Sequence, residues 1–279
     1  MDERKKNKEI LVSVCVPVYN GENTIEETVK SIIVQTYKNI EIIVVDNCST
    51  DSTVSILRNI NDERLKIYVN DSNLGMAGNW NQCLKYVNGE YVHFVCADDL
   101  LYPECISRKV DMLRRNDNVS MVISASELIN ENGDILLQRH LFSKEVVCDG
   151  KKLAKRSFHS RNLYGEPSNV LFKASAVKKV GNFAKNTFYS TDWDMWIRLS
   201  CEGNVAYVNE YLMRYRVATG NETSKIGIKR ILEDDRKMVA NILNYNCLKL
   251  NCIDIAIHRV IILMRAFARI IYMKFYANR

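Results

Sequence analysis

The chain has 279 residues, 47% of them apolar, with only 3 Pro and 11 Gly. That is enough to bury a substantial core, and it excludes collagen-like and low-complexity disordered classes. The formal net charge is +6, but from Lys225 onward 11 Lys+Arg stand against 4 Asp+Glu, so the basic excess belongs to the tail and implies no general affinity for polyanions.

In chain order, residues 10–18 form a continuous apolar run, the pattern of a strand buried on both faces. Thr24-Ile25-Glu26-Glu27 fits a capping box and predicts a helix from there to about Thr36. Residues 40–45 predict a second strand, which ends on Asp46 and enters a polar loop. A helix over 51–61 and a strand over 65–69 follow, then a loop or helix start over 73–78. A fourth strand over 91–95 opens into Cys96-Ala97-Asp98-Asp99. Such βαβα alternation with short links predicts an α/β fold with a mainly parallel sheet covered by helices.

Beyond Asp99 the pattern loosens. Pro103 begins a helix to about Arg115, residues 119–126 read as a strand, and 128–142 as a hairpin about Asn132-Gly133. Residues 156–168 are polar and aromatic without a period, which suits a substrate-facing loop or a plain surface loop. Residues 193–201 predict a helix and 205–217 a strand. The best boundary is 218–224, dividing an α/β body (1–217) from a basic helical extension (218–279).

Carboxylates at strand ends are the chemical signal, because open parallel sheets bind nucleotides outside the carboxyl ends of their strands. Asp46 can accept hydrogen bonds from a nucleotide, or can cap the following helix. Asp98-Asp99 can ligate a hard divalent cation, or can suit the start of the next helix. In Thr191-Asp192-Trp193-Asp194-Met195-Trp196-Ile197-Arg198, Asp194 and Arg198 are spaced as a helical ion pair. Asp192 has no such partner: it is an N-cap or a carboxylate held free for proton abstraction.

These pieces together resemble a GT-A glycosyltransferase of the family 2 type over about residues 9 to 217. They are P-V-Y-N-G-E at 17–22, S-I-I-V-Q-T at 31–36, V-V-D-N-C-S-T-D at 44–51, N-L-G at 73–75, G-E-Y at 89–91, A-D-D at 97–99, T-D-W-D-M-W-I-R at 191–198 and Y-R at 215–216. The resemblance implies a GT-A fold and a nucleotide site comprising Pro17, Tyr19, Glu22, Asp46, Asn73 and Asp98, with Asp46 on the nucleobase and Asp98 on the ribose. It implies Asp99 as ligand of a Mn²⁺ or Mg²⁺ on the diphosphate, Asp192 as catalytic base, and Glu166, Trp193 and Arg198 on the acceptor side. Cys96 and Thr191 depart from the family pattern, where many relatives carry acidic residues.

The implied activity is inverting transfer of a sugar from a UDP- or dTDP-linked donor to a hydroxyl of a polysaccharide or lipid-linked oligosaccharide. The alternatives are a sugar-nucleotide nucleotidyltransferase, for which residues 18–23 lack a Gly-rich basic phosphate loop, and a non-catalytic nucleotide- or membrane-binding protein. Nine cysteines with no CxxC pair favour a reducing setting over a disulfide framework. The N-terminus has no apolar h-region, and no apolar stretch reaches the roughly 18 residues of a spanning helix. A cytoplasmic protein is expected, peripheral on the inner face of the membrane if the tail binds it. That tail, 253–279, carries a stripe at Ile257, Ile261, Met264, Ala268, Ile271 and Phe275 with Arg259, Arg265, Arg269 and Lys274 on the remaining arc. It reads either as a helix packed on the body or a second subunit, or as an interfacial helix on an anionic leaflet. It has no recognisable nucleic-acid fold.

Overall fold

Side-chain alternation in the first two strands decides which helix covers which face of the sheet. The computed structural model describes residues 9–217 and 227–276, with side chains through residue 268. Strand β1 (Val12–Val18) sends Val12, Val14, Val16 and Val18 to one face and Cys15 to the other. Strand β2 (Ile40–Asp46) divides the same way, Ile40, Ile42 and Val44 against Ile43 and Val45. The first face is covered by α1 (Ile25–Ile33), α2 (Thr53–Arg58) and α4 (Cys105–Arg115). The second is covered by α3 (Gly75–Tyr86), α5 (Gly150–Phe158), α7 (Thr191–Ser200) and α8 (Ile228–Tyr245). Strands buried on both faces read as near-continuous apolar runs, and the buried exceptions, Ser13 and Glu41, hydrogen-bond each other at 2.6 Å.

The remaining strands are β3 (Leu65–Val69), β4 (Tyr91–Phe94), β5 (Leu100–Leu101), β6 (Val119–Ile129), β7 (Ile135–Arg139), β8 (Val146–Cys148), β9 (Leu171–Lys173) and β10 (Asn204–Arg216). They order as β3-β2-β1-β4-β9-β6-β10-β5, with β7 on β6 and β8 on β10. The β3-β2-β1-β4 half is parallel throughout, and so is β6 on β10. Strand β9 is antiparallel to both β4 and β6 and joins the halves. The carboxyl ends of β1, β2 and β4 therefore lie side by side, and the loops after them share one edge.

Several boundaries differ from the sequence-based expectations. Thr24 makes no side-chain cap and the Glu27 carboxylate pairs with Arg216 Nη2 at 2.7 Å, so the capping box does not form. The reason is a stronger, charged partner brought in from β10. Helix α2 begins at Thr53 because Asp51 holds the Thr53 amide and hydroxyl at the turn before it. Helix α5 runs into the expected loop as far as Phe158, and Pro167–Asn169 is a 3-10 turn.

The expected boundary at 218–224 lies outside the described residues. The helical tail is two helices, α8 and α9 (Cys252–Tyr276), parted by Asn246 in the left-handed region (φ 49°). Asn tolerates that conformation through its short polar side chain. Helix α9 turns Asp254, His258, Ile262 and Ala266 inward. Of the stripe read from the sequence, Ile257, Met264 and Ala268 are exposed and Ile261 is half-buried, beside exposed Ile253, Val260, Leu263 and Phe267; the side chains of Ile271 and Phe275 lie outside the described residues. Two polar residues sit on the inner face because each finds a partner there. Asp254 meets Lys155 and His159, and His258 bridges Asp235 (2.8 Å) and the Phe158 carbonyl (2.6 Å). No described helix is long and apolar enough to cross a membrane.

Candidate active site

A cleft of about 1610 Å³ runs along the sheet edge. It exceeds the roughly 300–1,000 Å³ of a typical small-ligand pocket, which leaves room for two substrates. Pro17, Tyr19, Asp98, Glu166, Asp192 and Trp193 all line it.

At one end stand the loops after β1 and β2. Asp46 is fully buried; its Oδ2 accepts the Ser49 amide at 2.8 Å, while Oδ1 is buried without a partner. A buried acceptor lacking a donor is costly, so Asp46 is more than a turn-former. Asn47, which the sequence shows only as part of the V-V-D-N-C-S-T-D run, organises this end: it accepts from the Leu74 amide and Asn70 and donates to Asn73. Asn73 also receives the Gly75 amide, which fixes the start of α3. Glu22 accepts the Ser52 amide at 2.9 Å and so ties the two loops together. Asn73 and Glu22 hold these loops together, and neither they nor the fully buried Asp46 line the cleft.

In the middle, Asp98 and Asp99 have opposite environments. Asp98 lines the cleft and is half-buried. Asp99 is fully buried, with Oδ2 bonded to the Ser168 hydroxyl and Oδ1 to the Arg216 amide at 3.1 Å. Burial and the charge of Asp98 push its carboxyl well above the usual range, and the two hydrogen bonds oppose this only in part. The expected assignment of metal to Asp99 thus meets a carboxylate whose two oxygens are already engaged, while its neighbour faces the cleft. Arg216 holds this corner: Nε donates to the Asp98 carbonyl (3.1 Å), Nη1 to the Glu131 carbonyl (2.8 Å) and Nη2 to Glu27. Ser168 also receives the Cys96 amide at 2.9 Å.

At the far end Asp192 stands in the first turn of α7. Its Oδ2 accepts Asn162 Nδ2 at 2.9 Å. Burial pushes its pKa up to about 7; the Trp193 amide works against the shift and the nearby Glu166 charge adds to it. A carboxylate titrating near neutral pH is suited to take a proton. Glu166, paired with Arg139, thus supplies through space the acidic neighbour that Thr191 does not supply in sequence. Trp193 is buried, donates Nε1–H to Ser157 at 2.8 Å and turns one part of its ring to the cleft. Asp234 on α8 fixes the entry to α7 by accepting the Phe188 and Ser190 amides and the Ser190 hydroxyl.

Arg198 is not brought to the cleft. It is fully buried, pairs with Asp194 at 2.6 Å, donates to the carbonyls of Val180 and Asn182, and stacks on Tyr245 at 4.4 Å. Its expected acceptor-side role therefore gives way to a structural one. Asn162, Ser168 and Asn47 were missed as site builders, because single polar residues in loops carry no sequence signal until their partners are known. Arg216 was legible only as part of Y-R.

As for a divalent cation, hard carboxylate oxygens are what such an ion takes, and Mg²⁺-type sites typically use one or two carboxylates plus substrate phosphates. Asp98 on the cleft, with burial holding its carboxyl above the usual range and Arg216 opposing, fits that donor chemistry. Among the described residues no cluster of three or more metal-ligating side chains is present.

Comparison with known proteins agrees with this geometry. The model for Glycosyl transferase family 2 matches residues 13–181. An uncharacterised glycosyltransferase of Rickettsia typhi is 32% identical over 215 residues, covering 77% of this chain and 66% of its own length. The Escherichia coli UDP-Glc:alpha-D-GlcNAc-diphosphoundecaprenol beta-1,3-glucosyltransferase WfgD is 35% identical over 122 residues, 44% of this chain and 48% of WfgD. Thus the chain spans about two thirds or less of the length of these curated relatives. Among solved structures, residues 1–349 of Staphylococcus aureus TarS with UDP-GlcNAc superpose with a TM-score of 0.72 at 21% identity, over 97% of this chain and 74% of that one. The mannosyltransferase PcManGT of Pyrobaculum calidifontis with GDP-Man and Mn²⁺ gives 0.60 at 17%, over 97% and 71%. With its family model matched over more than half its length and a GT-A-like α/β fold, the chain belongs to glycosyl transferase family 2.

Proposed function

We propose that the protein is an inverting, metal-dependent glycosyltransferase that moves a hexosyl group from a UDP- or dTDP-sugar to a hydroxyl of a polysaccharide or lipid-linked oligosaccharide. The observation that carries this reading is the Asp192 carboxylate, held by Asn162, in the same cleft as Asp98 and the Pro17–Tyr19 loop. The unpartnered Asp46 Oδ1 is suited to accept from the nucleobase, with Tyr19 and Pro17 packing beside it. Asp98, and not Asp99, would hold Mn²⁺ or Mg²⁺; Asp99 and Arg216 keep its backbone in place. A bound cation would neutralise the charge that develops on the diphosphate leaving group.

Asp192 accepts the proton of the attacking hydroxyl while Asn162 orients its carboxylate, a contribution of roughly 10²–10⁴-fold. Attack from that side, opposite the nucleotide, inverts the anomeric centre. UDP-Glc and UDP-GlcNAc in the names of WfgD and the TarS complex favour a uridine nucleotide. Within the extension over 218–279, Ile231, Ile262, Arg265 and Ala266 line the cleft and would complete its acceptor end. The exposed stripe of α9, together with the basic excess of the tail, favours peripheral attachment to an anionic membrane surface.

The direct test is release of UDP from UDP-hexoses with Mn²⁺, with and without acceptor extracts. Turnover in the wild type that is lost in both D98A and D192N supports the proposal, and turnover retained in both ends it. For the tail, truncation of 253–279 is expected to release the protein from anionic liposomes; a change of oligomeric state without loss of liposome binding would favour subunit packing.

A further inference from the structure

The cleft has a cationic pole that the proposed reaction does not yet use. Arg161, in the loop after α5, and Arg265, on α9, both line it. A three-residue segment connects them to the base. The Ser160 carbonyl accepts Arg265 Nη1 at 3.1 Å, Asn162 holds Asp192 at 2.9 Å, and Arg161 lies between.

The other two arginines of the cleft are already matched to carboxylates, Arg139 to Glu166 and Arg216 to Glu27. Among the described residues neither Arg161 nor Arg265 forms an ion pair. Partial burial lowers the pKa of Arg265, and the Arg161 charge lowers it further while Tyr189 opposes. Guanidinium groups nonetheless stay protonated at neutral pH. Both side chains are exposed at the cleft wall, and an anion between two neighbouring positive charges relieves their repulsion. Their planar forks match phosphate oxygens in bidentate geometry.

The contacts at Ser160 and Asn162 tie the cationic pole to the Asp192 end of the cleft, which is the acceptor side of the proposed reaction. The wall beside it is apolar, formed by Ile262 and Ala266 of α9.

We propose that Arg161 and Arg265 form an acceptor-phosphate subsite, selecting an acceptor that carries a phosphate near its reactive hydroxyl. The phosphate could come from a diphosphate-linked lipid or from a polyol phosphodiester chain; the chemistry recognised is the same. This inference rests on the reading of Asp192 as the base.

The test uses the full chain, saturated with UDP and Mn²⁺ so that the donor side is filled. Farnesyl diphosphate, glycerophosphoglycerol and inorganic pyrophosphate are titrated by calorimetry into wild type, R161Q/R265Q and R161K/R265K. Wild type is expected to bind at least one organic phosphate. The Gln pair is expected to weaken that binding at least 10-fold with UDP affinity changed less than twofold, and the Lys pair to retain a measurable part of it. Tighter farnesyl diphosphate identifies the lipid source, and tighter glycerophosphoglycerol the polyol source. Equal binding of the phosphates to wild type and the Gln pair, or no binding to wild type, overturns the proposal. If UDP itself fails to bind, the donor-site reading falls separately, and the pyrophosphate titration of wild type against the Gln pair, run without UDP, still decides the subsite.

Discussion

The two ends of the cleft are built differently. The nucleotide end is made by neighbours in sequence: the loops after β1 and β2 and the start of α3 interlock through Glu22, Asn47, Asp51 and Asn73, all within the first third of the chain. The base end is assembled from distant segments. Asn162 reaches Asp192, Asp234 caps the turn before α7, and His258 joins α9 to α8 and α5. A locally built end can stay formed when the other is disturbed, whereas the base end depends on α8 and α9 remaining docked. Proteins open in contiguous cooperative units of differing stability, so the two ends should be separable by mutation.

The largest effect should come from the reacting groups. D192N is expected to lower kcat by roughly 10²–10⁴-fold with UDP binding intact, while D98A should remove both turnover and the Mn²⁺-dependent part of UDP binding; steady-state kinetics and calorimetry read these separately. Next is R198A. It leaves Asp194 buried without its counter-charge, which costs about 3–5 kcal/mol. Hydrogen exchange should then rise in α6 (Ala174–Val180), α7 and α8 before it rises in β1 and β2; uniform loss of protection would contradict the division into two ends.

D46N should weaken UDP by about 10-fold, or about 1.4 kcal/mol, without altering the acid limb of the rate profile. Smallest is the pH effect. Wild-type turnover should rise with pH through about 7 as Asp192 loses its proton. Since Glu166 raises that pKa, E166Q should move the limb to lower pH by less than one unit. Stability runs the opposite way. The folded protein keeps a proton on Asp192 that the unfolded chain gives up near pH 4. The stabilising contribution is fully present below that point and is lost as pH rises through about 7. The melting temperature of D192N should therefore exceed that of wild type at pH 8 and match it more closely at pH 5.

The same contrast explains what could be read from the sequence. Strands β1 to β3 and the carboxylate ending β2 were legible because alternation and turn chemistry act over a few residues. Which of Asp98 and Asp99 faces the cleft was not, since the deciding partners, Ser168 and Arg216, lie 69 and 117 residues away. The charge of Glu166 felt by Asp192 is likewise an effect between α7 and a distant loop. The period of helix α9 is legible in the sequence, but which of its faces docks on the body is not. Apolar spacing alone cannot reveal that Asp254 and His258 turn inward to meet Lys155 and Asp235. Arg198 was misplaced for a related reason: an i,i+4 pair looks the same on a surface as in a core.

Calorimetric titration of UDP with Mn²⁺ into wild type, D98A and D192N tests the division of the cleft most directly. Binding to wild type and D192N with similar affinity, and its loss of at least 10-fold in D98A, is the expected result. Equal binding to D98A, or the loss of UDP binding in D192N, would contradict a nucleotide-metal end that stands apart from the base.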